Sequence, residues 1–241
     1  MYADDLAILS TEDEVGTAQV RLQTCLDKLD GWTNDWAMKI NATKTTYTIF
    51  SKAYKLPTVR LNLDGIPLQK EDNPRYLGVT FDPGLTWTKH IENVQAKGIK
   101  RTGLLKKLAG TDWGANMNVL KKTYVGYVRP VMEYGISAWG TAANTNINKV
   151  SKVQNQNLRI ITGSLKSTPI NDMEAITKLE PMEDRRDKKM LTQYTKFQHL
   201  KDHPMRNVMN CRPKTQKTQA SILCRLSTKS GILSLSTQLK D

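Results

Sequence analysis

The stretch YADDLAILS, Tyr2–Ser10, places two adjacent carboxylates directly before an apolar run. Neighbouring side chains of a regular strand point to opposite faces, so Asp4 and Asp5 converge only if they lie at a turn. Adjacent carboxylates repel one another unless a cation neutralises them, and Mg²⁺ prefers such oxygen ligands. The stretch therefore indicates part of a metal site followed by a strand, and the alternative interpretation is a solvated loop.

The residues that follow predict a helix packed on a sheet. Thr11 and Glu14 form a capping-box pattern that predicts the helix start. An apolar stripe at helical spacing then predicts about six turns; it comprises Val15, Ala18, Leu22, Cys25, Leu26, Leu29, Trp32 and Trp36. Further strands are predicted at TTYTIFS (45–51) and RYLGVTF (75–81), with a hairpin in VRLNLDGIPL around Asp64–Gly65.

Beyond residue 84 the pattern becomes helical. Helices are predicted over roughly 88–109, 115–138, 146–163 and 182–202, and Pro130 should kink or split the second. The first predicted helix directs Ile91, Val94, Ile99, Thr102, Leu105 and Leu108 inward, and its outer face carries Lys97, Lys100, Arg101, Lys106 and Lys107. The fold class is therefore α+β, in segments 1–84, 85–140, 141–203 and a basic, loosely ordered tail over 204–241.

The charge is strongly basic and unevenly distributed. The net charge is +13, yet residues 1–84 carry nine basic against twelve acidic residues, and residues 85–133 carry nine against three. This balance indicates a polyanionic partner, with nucleic acid favoured over a membrane surface; a simple variation of surface charge is the alternative. No apolar run is long enough to span a membrane. Three cysteines and the absence of a signal peptide predict an intracellular protein of the nucleus or cytoplasm.

Several motifs in order resemble the second half of a reverse-transcriptase palm. Tyr2–Asp5 resembles the Y-x-D-D box, KINATKT (39–45) the next motif with Asn41 and Lys44, and RYLGVTFD (75–82) the primer-grip region. The helical stretch that follows is similar to the thumb of polymerases from non-LTR retrotransposons, especially the jockey-like group. The resemblance extends over roughly residues 1–190, and the ordered set is far more specific than any single box.

This resemblance implies a two-metal nucleotidyl-transfer site that copies RNA into DNA with Mg²⁺ and dNTPs. Asp4 would be the stronger metal ligand and Asp5 an accessory one, while Tyr2 would lie under the nucleotide or primer end. Lys44 would be a general acid toward the leaving pyrophosphate. An ordinary solvated lysine is the alternative interpretation of Lys44.

The resemblance also implies contacts with an RNA template and a DNA primer. Tyr76, Leu77 and Gly78 would shape the hairpin that holds the primer strand, although a plain core strand explains the same residues. The basic face of residues 97–107 would follow the phosphate backbone without reading sequence. A solvated helix face is the alternative for these cations.

The upstream part of such a palm, with its further metal-binding aspartate, is not in these 241 residues. We therefore expect the chain alone to be inactive and to depend on an N-terminal polymerase half. A non-catalytic nucleic-acid-binding remnant is the second hypothesis. A zinc site from His199, His203, Cys211 and Cys224 is disfavoured, because the two cysteines are separated by twelve residues rather than forming a close pair.

Overall fold

The computed structural model describes residues 5–51, 58–110, 114–200, 205 and 220–227, and for residues 5 and 220–227 it describes the backbone. These residues form an α+β structure with two compact units. Unit 1 comprises Met1–Leu85 and Pro213–Asp241, and unit 2 comprises Thr86–Arg212. The division between the two units follows Leu85.

Unit 1 is built on short strands around one helix. In chain order its described elements are β1 (Asp5–Glu12), α1 (Val15–Asp35), β2 (Thr46–Phe50), β3 (Asn62–Leu63), β4 (Ile66–Pro67), β5 (Gln69–Lys70), β6 (Arg75–Tyr76), β7 (Val79–Thr80) and β8 (Ala220–Ser227). A four-stranded sheet has the order β1-β8-β2-β5. Since β8 is antiparallel to both of its neighbours, β1 and β2 run in the same direction.

Helix α1 packs on β1 and buries part of the apolar stripe that the sequence predicted. Ala18, Leu22 and Leu26 are buried and join Ile49 of β2 in the core of unit 1. Two predicted members of the stripe are exposed, because Cys25 faces solvent and Trp36 follows the last helical residue and is 66% exposed. The predicted capping box is wrong, since Thr11 is still in β1 and the N-cap is Glu14, without a side-chain cap.

Two tight hairpins follow β2. Asp64 and Gly65 both have positive φ angles, 52° and 70°, and connect β3 to β4 as predicted. Leu77 and Gly78, between β6 and β7, have the same geometry, with φ angles of 46° and 80°. Two successive positive φ angles define the turn whose twist matches antiparallel strands. The prediction of one continuous strand over residues 75–81 is therefore wrong, because the chain reverses at Leu77–Gly78.

The tail contributes a strand. Ala220–Ser227 forms β8 and pairs with β1 on one side and β2 on the other, for example Leu223 with Leu9 and with Thr48. For these eight residues the prediction of loose order is wrong. Both flanking strands gain main-chain partners from β8, so hydrogen bonding by the backbone outweighs the Ser/Thr/Lys-rich composition of the surrounding tail.

Unit 2 is helical. Its described helices are α2 (Thr88–Leu108), α3 (Met117–Thr123), a π-helix (Tyr124–Val128), α4 (Arg129–Glu133), α5 (Ile136–Trp139), α6 (Asn144–Thr162), α7 (Ile170–Thr177) and α8 (Met182–His199). The predictions for α2, α6 and α8 are confirmed to within a few residues. The predicted helix over 115–138 is split, and Pro130 at the start of α4 has no N–H to continue a regular ladder.

The core of unit 2 lies between α2, α6 and the split helices. Tyr124, Met132, Trp139, Leu158 and Met173 are almost completely buried. The prediction that Ile99 points inward is wrong, because it is 48% exposed and Gly98 occupies the buried position beside it. Gly98 lies so close to α6 that an added Cβ would be 3.0 Å from Cγ1 of Val153.

Candidate functional site

Only one residue of the predicted carboxylate pair is among the described residues. Tyr2 and Asp4 are outside the described residues, and Asp5 is the first residue of β1. Among the described residues no group of three or more His, Cys, Asp or Glu side chains is placed to hold a metal ion. The chemistry of the donor pair still suits Mg²⁺, because adjacent aspartates supply hard oxygen ligands that need a cation between them.

Lys44 ends a short capped turn directly before β2. The 3₁₀ turn Ala42–Lys44 follows Asn41, whose Oδ1 accepts hydrogen bonds from the Thr43 N–H at 3.1 Å and the Thr43 hydroxyl at 2.7 Å. The buried Thr45 hydroxyl donates to the Asn41 carbonyl at 2.9 Å. These bonds fix the turn and leave Lys44 exposed to solvent. The asparagine of the KINATKT motif is therefore a cap that presents the lysine.

The strand register places Asp5 and Lys44 at the same end of the sheet. Arg225 of β8 pairs with Ala7 on one side and with Thr46 on the other. Asp5 lies two residues before Ala7, and Lys44 lies two residues before Thr46. Because β1 and β2 run in the same direction, both residues lie at the end where these strands begin. One strand separates β1 and β2, so the backbones of Ala7 and Thr46 are two strand spacings apart, about 10 Å.

The predicted primer-grip residues form the second hairpin of unit 1. Tyr76 is half-buried and Leu77 is exposed at the turn. The hairpin is held to the sheet beyond β7, where the rings of Phe81 and Phe50 lie 6.1 Å apart and the Ser51 N–H donates to the Pro83 carbonyl at 3.1 Å. These contacts are at the carboxyl end of β2, whereas Lys44 precedes its amino end.

The basic residues of α2 lie in three environments that differ in exposure and in position around the helix. Lys97, Lys100 and Lys107 are exposed on one side of the helix, as expected from a rotation of roughly 100° per residue. Lys106 is also exposed but lies on the other edge of the solvent face, beside Ile99. Arg101 is half-buried, and its guanidinium carbon lies 4.6 Å from the ring centroid of Tyr127. The face is therefore basic, as the sequence predicted, but it is not uniform.

Buried hydrogen bonds fix α2 against α6 and so orient this basic face. The Asn157 amide donates to the Thr102 hydroxyl at 2.8 Å, and that hydroxyl donates to the Gly98 carbonyl at 2.9 Å. The Tyr124 hydroxyl donates to Gln154 Oε1 at 2.7 Å, and burial raises the pKa of Tyr124. Polar residues at buried helix positions were the only sequence signal for this network, and alone they do not identify their partners.

A second feature that the sequence analysis missed is the buried carboxylate of Glu133. It accepts hydrogen bonds from Arg185, and Nζ of Lys189 lies 2.8 Å from its Oε2. Burial alone would raise the pKa of Glu133, but the hydrogen bonds from Arg185 and Lys189 outweigh burial and hold that pKa below its ordinary value. The three cations near it come from two helices, so the cluster ties α8 to α4.

Two further sequence hypotheses concern membranes and zinc. In the described parts of the chain, no helix is long and apolar enough to cross a bilayer. Of the four residues considered for zinc, His199 ends α8 and Cys224 lies in β8, whereas His203 and Cys211 are outside the described residues.

Comparison with known proteins identifies the class to which the motifs and the sheet of unit 1 belong. Residues 1–81 match the family described as "Reverse transcriptase (RNA-dependent DNA polymerase)". The chain belongs to this family, which confirms the resemblance drawn from the Y-x-D-D box and the motifs behind it. No solved structure matches the chain at a significant level.

Several similar curated proteins are named as RNA-directed DNA polymerases of Drosophila mobile elements. The chain is 32% identical over 162 residues to the probable RNA-directed DNA polymerase from transposon BS of Drosophila melanogaster, and this alignment covers 67% of the chain and 18% of that protein. It is 30% identical over 189 residues to the RNA-directed DNA polymerase from mobile element jockey of the same species, and that alignment covers 76% of the chain and 20% of the relative. The jockey polymerase of Drosophila funebris is 31% identical over 185 residues. The chain thus spans about a fifth of the length of these relatives.

Proposed function

We propose that the chain supplies the Y-x-D-D half of the polymerase site of a non-LTR retrotransposon reverse transcriptase. Residues 1–84 would be a partial palm, residues 85–140 a thumb and residues 141–203 a helical C-terminal region. The observation that carries the proposal is the position of Asp5 and Lys44 at one end of the sheet, inside the segment that matches the family. A carboxylate and a lysine at one sheet end suit the two sides of a phosphoryl transfer.

The chain's own residues would divide the chemistry between them. Asp4 and Asp5 would hold Mg²⁺, which when bound activates the primer hydroxyl and neutralises charge on the phosphates. The primer 3′ hydroxyl would lose its proton to solvent as its oxygen forms a bond to the α-phosphorus of the dNTP, and the bond from that phosphorus to pyrophosphate would break. Lys44 would donate its proton to that leaving group. Tyr2 would support the nucleotide or the primer end.

The remaining predicted residues would hold the template and primer. Tyr76, Leu77 and Gly78 form a tight turn of the type that can lie against a primer strand. Lys97, Lys100, Lys106 and Lys107 would contact phosphates, and Arg101 would reach them only in part because its guanidinium is already engaged with Tyr127. Contacts of this kind bind RNA and DNA alike and weaken as salt rises.

We further propose that these 241 residues do not polymerise alone. Two metal ions need more ligands than one adjacent aspartate pair, so the activity would require a polymerase segment that supplies another carboxylate. Binding of nucleic acid without catalysis is the second candidate function for the chain by itself. This second function is favoured by the exposed lysines of α2 and by the composition of residues 85–133, which contain nine basic and three acidic residues.

A primer-extension assay tests the catalytic proposal. The chain replaces the equivalent segment of the jockey polymerase, and incorporation of dNTPs on an RNA template is measured with Mg²⁺. Asp4→Asn should abolish incorporation, and Lys44→Gln should reduce it about a hundred-fold. Asp35→Asn and Lys39→Gln, which change exposed residues of the same type, should leave the rate unchanged.

Two results would contradict the proposal. If Asp4→Asn and Asp35→Asn polymerise equally well, the carboxylate pair is not a metal site. If the isolated 241-residue chain incorporates dNTPs and loses this activity in Asp4→Asn, the proposed dependence on a further segment is wrong.

A further inference from the structure

The basic helix α2 contacts an exposed aromatic ring of the π-helix through Arg101. Tyr127 is 42% exposed, and the guanidinium of Arg101 lies over its ring at 4.6 Å from the centroid. Nη1 of Arg101 also donates to the main-chain carbonyl of Tyr127 at 2.5 Å. A cation at this distance is attracted by the electrons of the ring face. The two contacts together hold the ring in a fixed orientation on the surface.

The backbone around Tyr127 is unusual and open. Tyr127 lies in the π-helix Tyr124–Val128, directly before the helix that contains Pro130. Short π-helical turns occur frequently at functional sites. The neighbouring residue is Gly126, which is exposed and has no side chain that could cover the ring. Because Tyr127 is itself partly exposed, a flat group can approach the part of the ring that faces solvent.

The charge beside the ring is positive. Lys97 precedes Arg101 by one helical turn on the same side of α2, and Lys100 is its sequence neighbour; both are exposed. Leu104, one turn after Arg101, is also exposed and adds apolar surface. A rigid aromatic ring with an arginine on one side and lysines next to it is the combination that binds single-stranded nucleic acid, with phosphates on the cations and a base on the ring.

We propose that Tyr127, backed by Arg101, stacks an unpaired base of a single strand whose phosphates contact Lys97 and Lys100. This inference rests on the proposed nucleic-acid-binding function of α2 and adds to it a preference for strands with accessible bases. In a duplex both faces of an internal base are covered by its neighbours, so the ring has no base to stack on. The ring therefore distinguishes a single strand from a duplex, which the lysines alone do not.

Competition binding with the full chain tests the proposal. A labelled oligothymidine strand is compared with an abasic strand of the same length and charge. Tyr127→Leu keeps an apolar side chain of similar bulk but removes the ring, and it should weaken binding of the oligothymidine about ten-fold while changing the abasic strand less than about two-fold. Tyr127→Phe keeps the ring and should bind both strands like the wild type.

Lys97→Gln is the matched control for charge. It should weaken binding of both strands equally and lower the dependence of log K on log salt by about 0.7 for single strands. If the wild-type chain binds neither strand, the proposed nucleic-acid function of α2 fails. If the wild type binds both but Tyr127→Leu weakens both equally or neither, or if Tyr127→Phe does not restore binding, the stacking inference alone is wrong.

Discussion

Replacing Glu133 with glutamine should destabilise unit 2 strongly. The Glu133 side chain is only 7% exposed and lies between three cations. Arg185 donates to both of its oxygens, Lys189 lies 2.8 Å from Oε2, and Nε of Arg129 lies 3.6 Å from Oε1. Glutamine keeps the size of the side chain but removes its charge, so the three cations lose the carboxylate that they share. Arg185 then retains the more exposed Glu180, 3.6 Å away.

The expected loss of stability depends on how deeply the three cations around Glu133 are buried. Removing one member of a fully buried ion pair costs roughly 3–5 kcal/mol, because the remaining charge stays desolvated. Here the side chains of Arg129, Arg185 and Lys189 are 16%, 22% and 43% exposed, so water recovers part of that loss. We expect Glu133→Gln to lower the free energy of unfolding by about 2–3 kcal/mol at neutral pH.

Chemical unfolding followed by circular dichroism and tryptophan fluorescence measures this loss, and Trp139 reports on unit 2 because it is buried there. Glu180→Gln is the matched control, since Glu180 also pairs with Arg185 and Lys188 but lies at the surface. Its effect should be much smaller, as is typical of exposed pairs. Equal losses for the two variants, or no loss for Glu133→Gln, would refute the reasoning.

The same carboxylate gives the stability a pH dependence. The pKa of Glu133 is lower in the folded chain than in the unfolded one. The Glu133 carboxylate therefore makes its full contribution to the free energy of unfolding above the ordinary glutamate pKa. The contribution is lost as the pH falls from that value through the lower folded pKa. The difference in stability between the wild type and Glu133→Gln should therefore shrink on acidification. A difference that grows toward low pH would contradict this sign.

Three glycines give further predictions, each measured by chemical unfolding. Gly98→Leu should cost about 1–3 kcal/mol, because even a Cβ would be 3.0 Å from Val153 and a larger side chain must push α2 from α6. Gly103→Ala on the same helix should instead stabilise by about 0.5–1 kcal/mol, since the space around it is open and alanine favours helix. Gly65→Ala should cost about 1–2 kcal/mol in unit 1, because residue 65 has a φ of 70°. The most informative result is a lower free energy of unfolding for Gly98→Leu together with a higher one for Gly103→Ala. If both variants change the free energy of unfolding in the same direction, helix propensity decides both.

The sequence predicted those elements whose signal is local. Helix α2 was expected over 88–109 and is observed over Thr88–Leu108, because its apolar positions repeat at the helical period. The Asp64–Gly65 hairpin was predicted because a turn with two positive φ angles favours this residue pair. In both cases a few neighbouring residues determine the structure, so no distant partner needs to be known.

Features that depend on distant partners were not predictable in the same way. Leu77–Gly78 resembles an ordinary strand segment until β6 and β7 are seen to pair with each other. Ile99 fits the helical period as well as Gly98 does, and only the close approach of α6 decides that glycine is buried and isoleucine exposed. The contact of Arg101 with Tyr127 joins residues 26 positions apart, and charge patterning alone gives no partner for Arg101.

The position of β8 has a consequence for the proposed catalytic site. It lies between β1 and β2, so it sets the distance between Asp5 and Lys44 at one end of the sheet. Leu223 pairs with Leu9 on one side and with Thr48 on the other, and a proline there would remove the main-chain donor and disturb both ladders.

Leu223→Pro should therefore cost unit 1 at least about 3 kcal/mol and expose the amides of both neighbouring strands to hydrogen exchange. Leu223→Val keeps the donor and a good strand former, and it should exchange like the wild type. In the polymerase chimera Leu223→Pro should also lower dNTP incorporation, because β1 and β2 lose the strand that spaces them. If protection of β1 and β2 is unchanged in Leu223→Pro, then the tail strand does not hold the sheet together, and the spacing of Asp5 and Lys44 must come from another part of the polymerase.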